Sequence, residues 1–223
     1  MRNRWFIALA AIGLHISIGS VYAWSVLTRP IMADMGFTLS QTTWTFSLAI
    51  LMLGLSAGFL GSFAEKIGPK KSGLLAMLFW VTGLLGTAYA LSIHNLTLLY
   101  LFYGIIGGIG LGIGYITPVS TLVKYFPNRP GFATGLAIMG FGFASLIAGP
   151  LMQYLVAQVG LVDTFIILGV IYLVIMGASS LYLKAPQQKH PTRTSKDRST
   201  MYVHTHGMLA NDAMKTWQFG ALW

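Results

Sequence analysis

The sequence predicts an all-α protein embedded in a membrane, and three observations support this prediction. Hydrophobic residues make up 55% of the chain and charged residues only 9%, whereas soluble domains are about a quarter charged. The apolar residues form six long runs, each close to the roughly 20 helical residues that cross a bilayer. Thirteen of the 14 Lys and Arg residues lie in segments that such a topology places on one side of the membrane.

Composition also excludes several classes of function. The chain contains no cysteine, which excludes disulfides, thiol catalysis and thiolate metal sites. The net charge of +9 does not indicate nucleic-acid binding, because the bases flank apolar runs as topology signals do. The six runs hold no Asp, Glu, Lys or Arg, and so offer no paired acids or metal-ligand cluster. We therefore expect no metal, no cofactor and no enzymatic activity.

The six predicted spans follow one another through short connections. They cover about residues 5–27, 43–63, 72–91, 96–123, 131–156 and 164–183. Arg29 and Pro30 are expected to end the first helix, because proline disfavours helix at the residue before it. Residues 34–41 are expected to form an outer loop, with Ser40 or Thr42 as the cap of the second helix.

The composition changes after the sixth span. Residues 184–215 are rich in Pro, Gln, Lys, Arg, Ser, Thr and His, which predicts a solvated cytoplasmic central loop. Residues 216–223 turn apolar again and are expected to begin a seventh transmembrane helix that is cut off. The distribution of bases places both termini in the cytoplasm of a multi-pass cell-membrane protein, with the lipid bilayer as its surroundings.

The connection between the second and third spans carries an ordered set of glycines and charges. These residues are Gly61, Glu65, Lys66, Gly68, Lys70 and Lys71. One interpretation is that they only determine topology. The other is a cytoplasmic latch, in which the Glu65 carboxylate meets lysines and helix N-terminal dipoles and joins two helix bundles.

Small residues and prolines inside the spans predict close packing and bending. Gly104, Gly108 and Gly112 recur every four residues on one helix face, where they let two backbones approach in lipid. Gly54, Gly58 and Gly61 are expected to do the same in the second span. Pro118 and the Gly149-Pro150 pair interrupt backbone hydrogen bonding. They either fix packing geometry or let a helix bend during a conformational change.

Five side chains inside the spans are candidates to line a polar cavity: His15, Ser20, Tyr22, Tyr115 and Thr117. His15 is the one ionisable group deep in the first span. It is a candidate cavity-lining donor or proton carrier, or else a neutral histidine bonded to a neighbouring helix. Tyr22 and Tyr115 are placed where a hydroxyl needs a partner, whereas Trp24 is expected in the interfacial aromatic belt.

Residues 61–71 resemble the loop between helices two and three of the major facilitator superfamily, typically G-x-x-x-D-[RK]-x-G-[RK]-[RK]. Glu65 stands where Asp is usual and Pro69 where a base is usual. Further stretches resemble the oxalate:formate antiporter family within it: residues 19–25, 112–118, 124–131 and 133–135. Asn128 and Pro130 replace an acid and a base of that family's pattern.

The resemblance implies a transporter of two six-helix halves that binds its substrate between them and works by alternating access. This chain resembles the N-terminal half, so its expected partner is the missing C-terminal half or a second copy. The implied substrates are small carboxylates such as oxalate, formate or other monocarboxylates, with Tyr22 and Tyr115 as candidate hydrogen-bond donors. The alternative is a truncated membrane remnant or half-transporter partner that does not transport.

Overall fold

The structure, a computed structural model, describes residues 3–186, and every regular element within them is helical. In chain order these are α1 (Arg4–Gly19), a 3₁₀ turn (Ser20–Ala23), α2 (Trp24–Met35), α3 (Leu39–Ile67), α4 (Pro69–Ser92), α5 (Leu96–Leu99), a π-helical segment (Tyr100–Gly107), α6 (Gly108–Tyr125) and α7 (Pro130–Tyr182). The all-α prediction is confirmed for this part of the chain. The predicted central loop from residue 187 onward, and the predicted start of a seventh helix, lie outside the described residues.

The first helical element is longer than predicted. Helices α1 and α2 join through the 3₁₀ turn into 32 residues that end at Met35, so the expectation that Arg29 and Pro30 end the helix is wrong. Leu27 and Ile31, on either side of Pro30, are fully buried, and this packing outweighs the local preference of proline. The helix ends instead at Gly36, whose φ of 70° is left-handed, a conformation that glycine adopts at little cost.

Helix α3 begins with a capping box that the sequence-based expectation did not include. The Thr38 hydroxyl accepts a hydrogen bond from the Gln41 backbone N–H at 3.3 Å, and the Gln41 side chain accepts one from the Thr38 N–H at 2.9 Å. Neither Ser40 nor Thr42 is the cap. The predicted outer loop at 34–41 shrinks to residues 36–38, because the T-x-x-Q pattern starts the helix earlier.

The connection between α3 and α4 is a single residue rather than a charged loop. Helix α3 continues through Gly61, Glu65 and Lys66 to Ile67, and α4 begins at Pro69. Gly68 makes the corner with a φ of 83°. A charged residue ends an apolar run without ending a helix, since Glu and Lys are good helix formers. The chain therefore turns only where glycine permits positive φ and proline can start the next helix.

Helix α7 has 53 residues, which would extend about 80 Å at 1.5 Å per residue. It is broken at Gly160, where φ is 82° and ψ is −180°. We call residues 130–159 its N-terminal arm and residues 161–182 its C-terminal arm. Within the described chain, five helices are long and apolar enough to cross a membrane, counting α7 once. The two arms support six crossings, and the span boundaries stay a prediction.

Glycines of α6 and of the π-helical segment before it allow close contact with two neighbouring helices, α3 on one face and α4 on the other. A Cβ added at Gly108 would lie 2.8 Å from the carbonyl oxygen of Ala49 in α3. A Cβ added at Gly110 would lie 2.6 Å from the backbone nitrogen of Trp80 in α4. Gly104 and Gly112 also face α3. By contrast, a Cβ at Gly54 or Gly58 would meet nothing within 4 Å in the described residues. The expectation that these two glycines pack against another helix is therefore wrong for this part of the chain.

Candidate functional site

A row of aromatic rings leads from an open face of the bundle to its interior. The rings belong to Phe46, Tyr22, Phe141, Tyr115 and His15, and we call them the aromatic path. Successive ring centroids are 6.4, 5.1, 5.2 and 5.6 Å apart. Tyr22 is 45% exposed, whereas Phe141 is 5% and His15 0% exposed. The path thus connects an accessible side chain to a fully enclosed one.

Local backbone geometry brings these rings together from different helices. Tyr22 lies in the 3₁₀ turn, where about three residues per turn replace the usual 3.6 and rotate the side-chain pattern. As a result Tyr22 faces outward while its neighbours Val21 and Ala23 are buried. Phe141 comes from the N-terminal arm of α7, and Tyr115 from α6. Phe141 was not among the predicted site residues, although its position between Gly140 and Gly142 marked it as unusual.

His15 occupies the inner end of the path and touches three helices. Its Nδ1 lies 2.6 Å from the carbonyl oxygen of Ala137, in the N-terminal arm of α7. Its Nε2 lies 3.0 Å from the carbonyl oxygen of Tyr115 in α6. The imidazole stacks on the Tyr115 ring with an interplanar angle of 26°. Of the three candidate roles, an enclosed ring bonded to neighbouring helices fits this geometry better than a side chain lining an open cavity.

Ser20 and Thr117 lie in the helix interfaces and do not face an open cavity. The Ser20 hydroxyl is fully buried and donates to the Ser17 carbonyl oxygen at 2.7 Å. The Thr117 hydroxyl donates to the Ile113 carbonyl oxygen at 2.8 Å and also hydrogen-bonds the Ser72 hydroxyl. Both hydroxyls thus bond the preceding turn of their own helical element, since buried hydroxyls take up a nearby acceptor, and Thr117 also connects α6 to α4 through Ser72. Tyr22 is the exposed member of the predicted cavity set, and Tyr115 is half-buried.

A groove of about 560 Å³ opens beside Tyr22, between α2 and the start of α3. It is lined by Tyr22, Trp24, Ser25, Thr28, Arg29, Met32, Leu39, Thr43 and Phe46. Arg29 is the one base among these lining residues, and no acid accompanies it. In the sequence, Arg29 was expected to end the first helix and to count toward topology, with no predicted role in binding. Its signal was available, since Arg29 is the single base assigned to the outer side.

Trp24 is a wall of this groove and not a residue of the interfacial belt. It is almost fully buried, and its indole N–H donates to the Thr42 carbonyl oxygen at 3.2 Å. Its ring lies 4.3 Å from that of Tyr103. This packing fixes the distance between α2 and α3 at the base of the groove, which keeps the groove open above it.

The latch residues other than Gly68 are helical, and Glu65 pairs with a base outside the predicted motif. Its carboxylate lies 3.3 Å from the Lys124 ammonium at the end of α6. The other bases of the motif lie at the end of α3 (Lys66) and the start of α4 (Lys70 and Lys71), and they do not belong to this pair. The pair joins α3 to α6 inside one bundle and is about half exposed on each side. A latch between two bundles stays a prediction.

The two predicted bending sites differ in their surroundings. Pro118 is buried in α6, where the neighbouring Thr121 hydroxyl donates to the Thr117 carbonyl oxygen at 2.6 Å. Pro150 is exposed in α7, and a Cβ added at Gly149 would only touch Val26 at 3.8 Å. The α7 site therefore has more room to move than the α6 site, and bending during function stays a prediction for both.

The sequence is similar to a known protein family and to several individual proteins. The Major Facilitator Superfamily profile matches residues 6–219. The chain is 33% identical over 194 residues to "Uncharacterized MFS-type transporter YhjX" of Escherichia coli (strain K12), covering 86% of this chain and 47% of that protein. It is 25% identical over 222 residues to the "Oxalate:formate antiporter" of Oxalobacter formigenes, covering 99% of this chain and 51% of that protein.

It is also 27% identical over 188 residues to "Monocarboxylate transporter 14" of Homo sapiens, covering 84% of this chain and 36% of that protein. The chain thus spans about half the length or less of these curated relatives. The predicted resemblance is confirmed, and the relatives are named as transporters rather than enzymes, as expected. The profile covers nearly all of the sequence and the helices follow one another as the resemblance implied: the chain belongs to the Major Facilitator Superfamily.

Proposed function

We propose that the chain acts as one half of a secondary transporter for small carboxylates, and that the groove beside Tyr22 receives the anion. The observation that carries this proposal is that a guanidinium, that of Arg29, and the half-exposed Tyr22 line the same groove. A guanidinium pairs with a carboxylate through two parallel hydrogen bonds. Tyr22 adds a phenolic donor beside it.

The rest of the lining suits a short organic anion. Ser25, Thr28 and Thr43 contribute hydroxyl groups, and the rings of Tyr22 and Phe46 offer apolar surface for a few carbon atoms. Two of the relatives carry names that refer to carboxylates, an oxalate:formate antiporter and a monocarboxylate transporter. We extend that substrate class to this chain as part of the proposal.

Transport requires a second helical body opposite the groove. We propose that it is either a C-terminal six-helix half or a second copy of this chain, in a cell membrane with both termini in the cytoplasm. Rocking of the two bodies would expose the bound anion to one side and then to the other. Exchange of one carboxylate for another is the mode we propose, with symport as the competing mode.

Binding is tested first, with the 223-residue chain in lipid nanodiscs and radiolabelled oxalate and formate. We expect saturable binding that unlabelled carboxylate displaces and chloride does not. Arg29→Gln removes charge-assisted hydrogen bonds of about 1.5–3 kcal/mol, which corresponds to roughly a tenfold to hundredfold loss of affinity. The matched control is Lys184→Gln, which removes one positive charge outside the groove. Wild-type affinity in the Arg29 variant would contradict the groove assignment.

Exchange is then measured in vesicles loaded with unlabelled carboxylate and supplied with labelled carboxylate outside. Uptake that depends on the internal carboxylate supports an exchanger, whereas uptake that follows an imposed proton gradient supports symport. Saturable binding without uptake would identify the alternative, a bundle that inserts and binds but does not transport by itself. In that case the same assay is repeated with the chain co-reconstituted with a C-terminal half.

A further inference from the structure

His15 is held in a way that an ordinary buried histidine does not require. Both of its ring nitrogens face backbone carbonyl oxygens, at 2.6 Å for Nδ1 and 3.0 Å for Nε2. Carbonyl oxygens only accept hydrogen bonds, and a neutral imidazole carries a single N–H. One of the two contacts in the neutral ring therefore sets a nitrogen lone pair against an oxygen lone pair. Both contacts are hydrogen bonds only when both nitrogens carry a proton.

We propose that His15 is a proton-binding site, and that its protonated ring ties α1 to α6 and to the N-terminal arm of α7 at once. The two carbonyl oxygens belong to Tyr115 in α6 and Ala137 in α7, which are not neighbours in sequence. Loss of one proton to water leaves a neutral ring with one N–H, and one of the two ties is lost. Protonation thus determines whether α1 is bonded to one of these helices or to both.

The surroundings of the ring suit a cation that has no carboxylate partner. The imidazole stacks on Tyr115 at 5.6 Å and contacts Phe141 at 5.8 Å, within the roughly 6 Å at which aromatic faces attract cations. Two carbonyl dipoles complete the site. Burying a charge costs free energy, and these four contacts reduce that cost. The site therefore binds a proton through backbone and ring faces instead of an acidic side chain.

The neighbouring elements bring no competing charge to the ring. The residues of α1, of the N-terminal arm of α7 up to position 156, and of α6 up to position 123 include no Asp or Glu and, after Arg4, no Lys or Arg. The titratable groups there are tyrosines. Tyr115 stacks directly on His15, and Tyr22, in the adjoining 3₁₀ turn, is the third ring from His15 along the aromatic path. Titration at this position thus belongs to His15 itself.

Access to the site runs along the aromatic path. Phe141 touches His15, Tyr22 and Tyr115, with ring centroids 5.8, 5.1 and 5.2 Å away. It therefore separates the half-exposed Tyr22 from the buried His15. Because His15 is fully enclosed, proton exchange with water requires the Phe141 ring or the Tyr115 ring to move, which links the protonation state of His15 to a rearrangement of α7 or α6. The use of this link in transport rests on the proposed function, but the proton site does not.

Solid-state ¹⁵N NMR on the full chain in lipid bilayers tests the site directly. His94, which has a positive φ of 53°, is replaced by Asn because Asn tolerates that conformation. His190→Gln, His204→Gln and His206→Gln leave His15 as the sole histidine. We expect both ring nitrogens to carry hydrogen-bonded protons at low pH, and one of them to lose its proton as the pH is raised. The control chain keeps His94 alone, with His15→Gln.

The measurement has clear contrary outcomes. A ring that keeps one bare nitrogen at every pH would overturn the proposal, since the second contact would then not be a hydrogen bond. A ring that keeps both protons at every pH would overturn it too, because the site would not exchange protons. In vesicles, His15→Gln is expected to remove the pH dependence of carboxylate exchange. If the wild-type chain shows no exchange at all, the proposed function fails while the NMR result stands.

Discussion

The side of the bundle where α6 meets α3 and α4 differs sharply from the side where α2 and α3 border the groove. On the first side, glycines bring backbones so close that Gly108 leaves 2.8 Å between an added Cβ and the Ala49 carbonyl oxygen. On the second side, bulky residues such as Trp24 and Phe46 hold the helices apart around about 560 Å³ of space.

The difference shows how one chain combines a rigid part and an accessible part. In lipid, helices gain little from burying apolar surface against one another, so close packing of small residues stabilises their contact. Large aromatic residues prevent such contact and leave room for a ligand. Helix α3 takes part in both, with Ala49 against the glycine face and Phe46 at the groove. Substitutions on the glycine side should therefore change stability, whereas substitutions at the groove should change ligand binding.

The largest effect is expected at the aromatic path. Phe141→Ala removes a buried ring that three other rings touch, and truncations of this kind cost about 3–5 kcal/mol in protein cores. We expect a marked drop in the thermal stability of the chain in nanodiscs, and water access to His15. The matched control is Phe143→Ala, two residues along the same arm of α7, where the ring is 59% exposed. Equal losses in the two variants would show that Phe141 is not a packed element of the path.

The next effect concerns the glycine face. Gly108→Val places a branched side chain against the α3 backbone, and overpacking of this kind costs about 1–3 kcal/mol. Gly58→Val adds the same atoms to an apolar helix where nothing lies within 4 Å. Thermal unfolding followed by circular dichroism should show a lower midpoint for the first variant and an unchanged midpoint for the second. A similar loss for Gly58→Val would mean that this face packs against something in the membrane.

The glycine face was predictable, and the groove was not, for a physical reason. Repeats of glycine every four residues favour close helix contact in a membrane, and this spacing placed Gly104, Gly108 and Gly112 at a helix contact. The same spacing at Gly54 and Gly58 gave an expectation that the described residues do not meet. A cavity depends on where side chains of different helices leave space. Arg29 and Phe141 belong to this second class, because their role comes from neighbours such as Tyr22 that lie on other elements or in the 3₁₀ turn.

The helices likewise combine features that were predictable from the sequence with features that were not. Apolar runs located the helices, because membrane insertion requires them, but the ends of those runs only mark where the chain becomes polar. The helices continue past them to residues whose backbone forces a turn, Gly36 and Gly68. His15 was recognised as unusual from its type and depth. Its two carbonyl partners, 100 and 122 residues away in sequence, could not be inferred without the fold.

A smaller effect tests the start of α3, which forms one wall of the groove. Thr38→Ala removes the hydroxyl that caps the Gln41 N–H, and the loss of such a cap costs about 1 kcal/mol. Ser40→Ala, two residues on, removes a similar hydroxyl that is not the N-cap. We expect a small drop in unfolding midpoint for Thr38→Ala only. A larger loss for Ser40→Ala would mean that α3 begins later, at the cap that the sequence pattern favoured.

The smallest effect is expected at the ion pair between Glu65 and Lys124. Glu65 and Lys124 are 47% and 48% exposed, and such pairs contribute about 0–1 kcal/mol, less at high salt. A double-mutant cycle with Glu65→Gln and Lys124→Gln should therefore give a coupling energy of at most about 1 kcal/mol that fades as salt is added. If Glu65→Gln lowers carboxylate exchange far more than Lys124→Gln while stability stays equal, Glu65 must have a second partner. That result would favour the predicted latch between two helical bodies, because the pair inside one bundle would then not account for the role of the carboxylate.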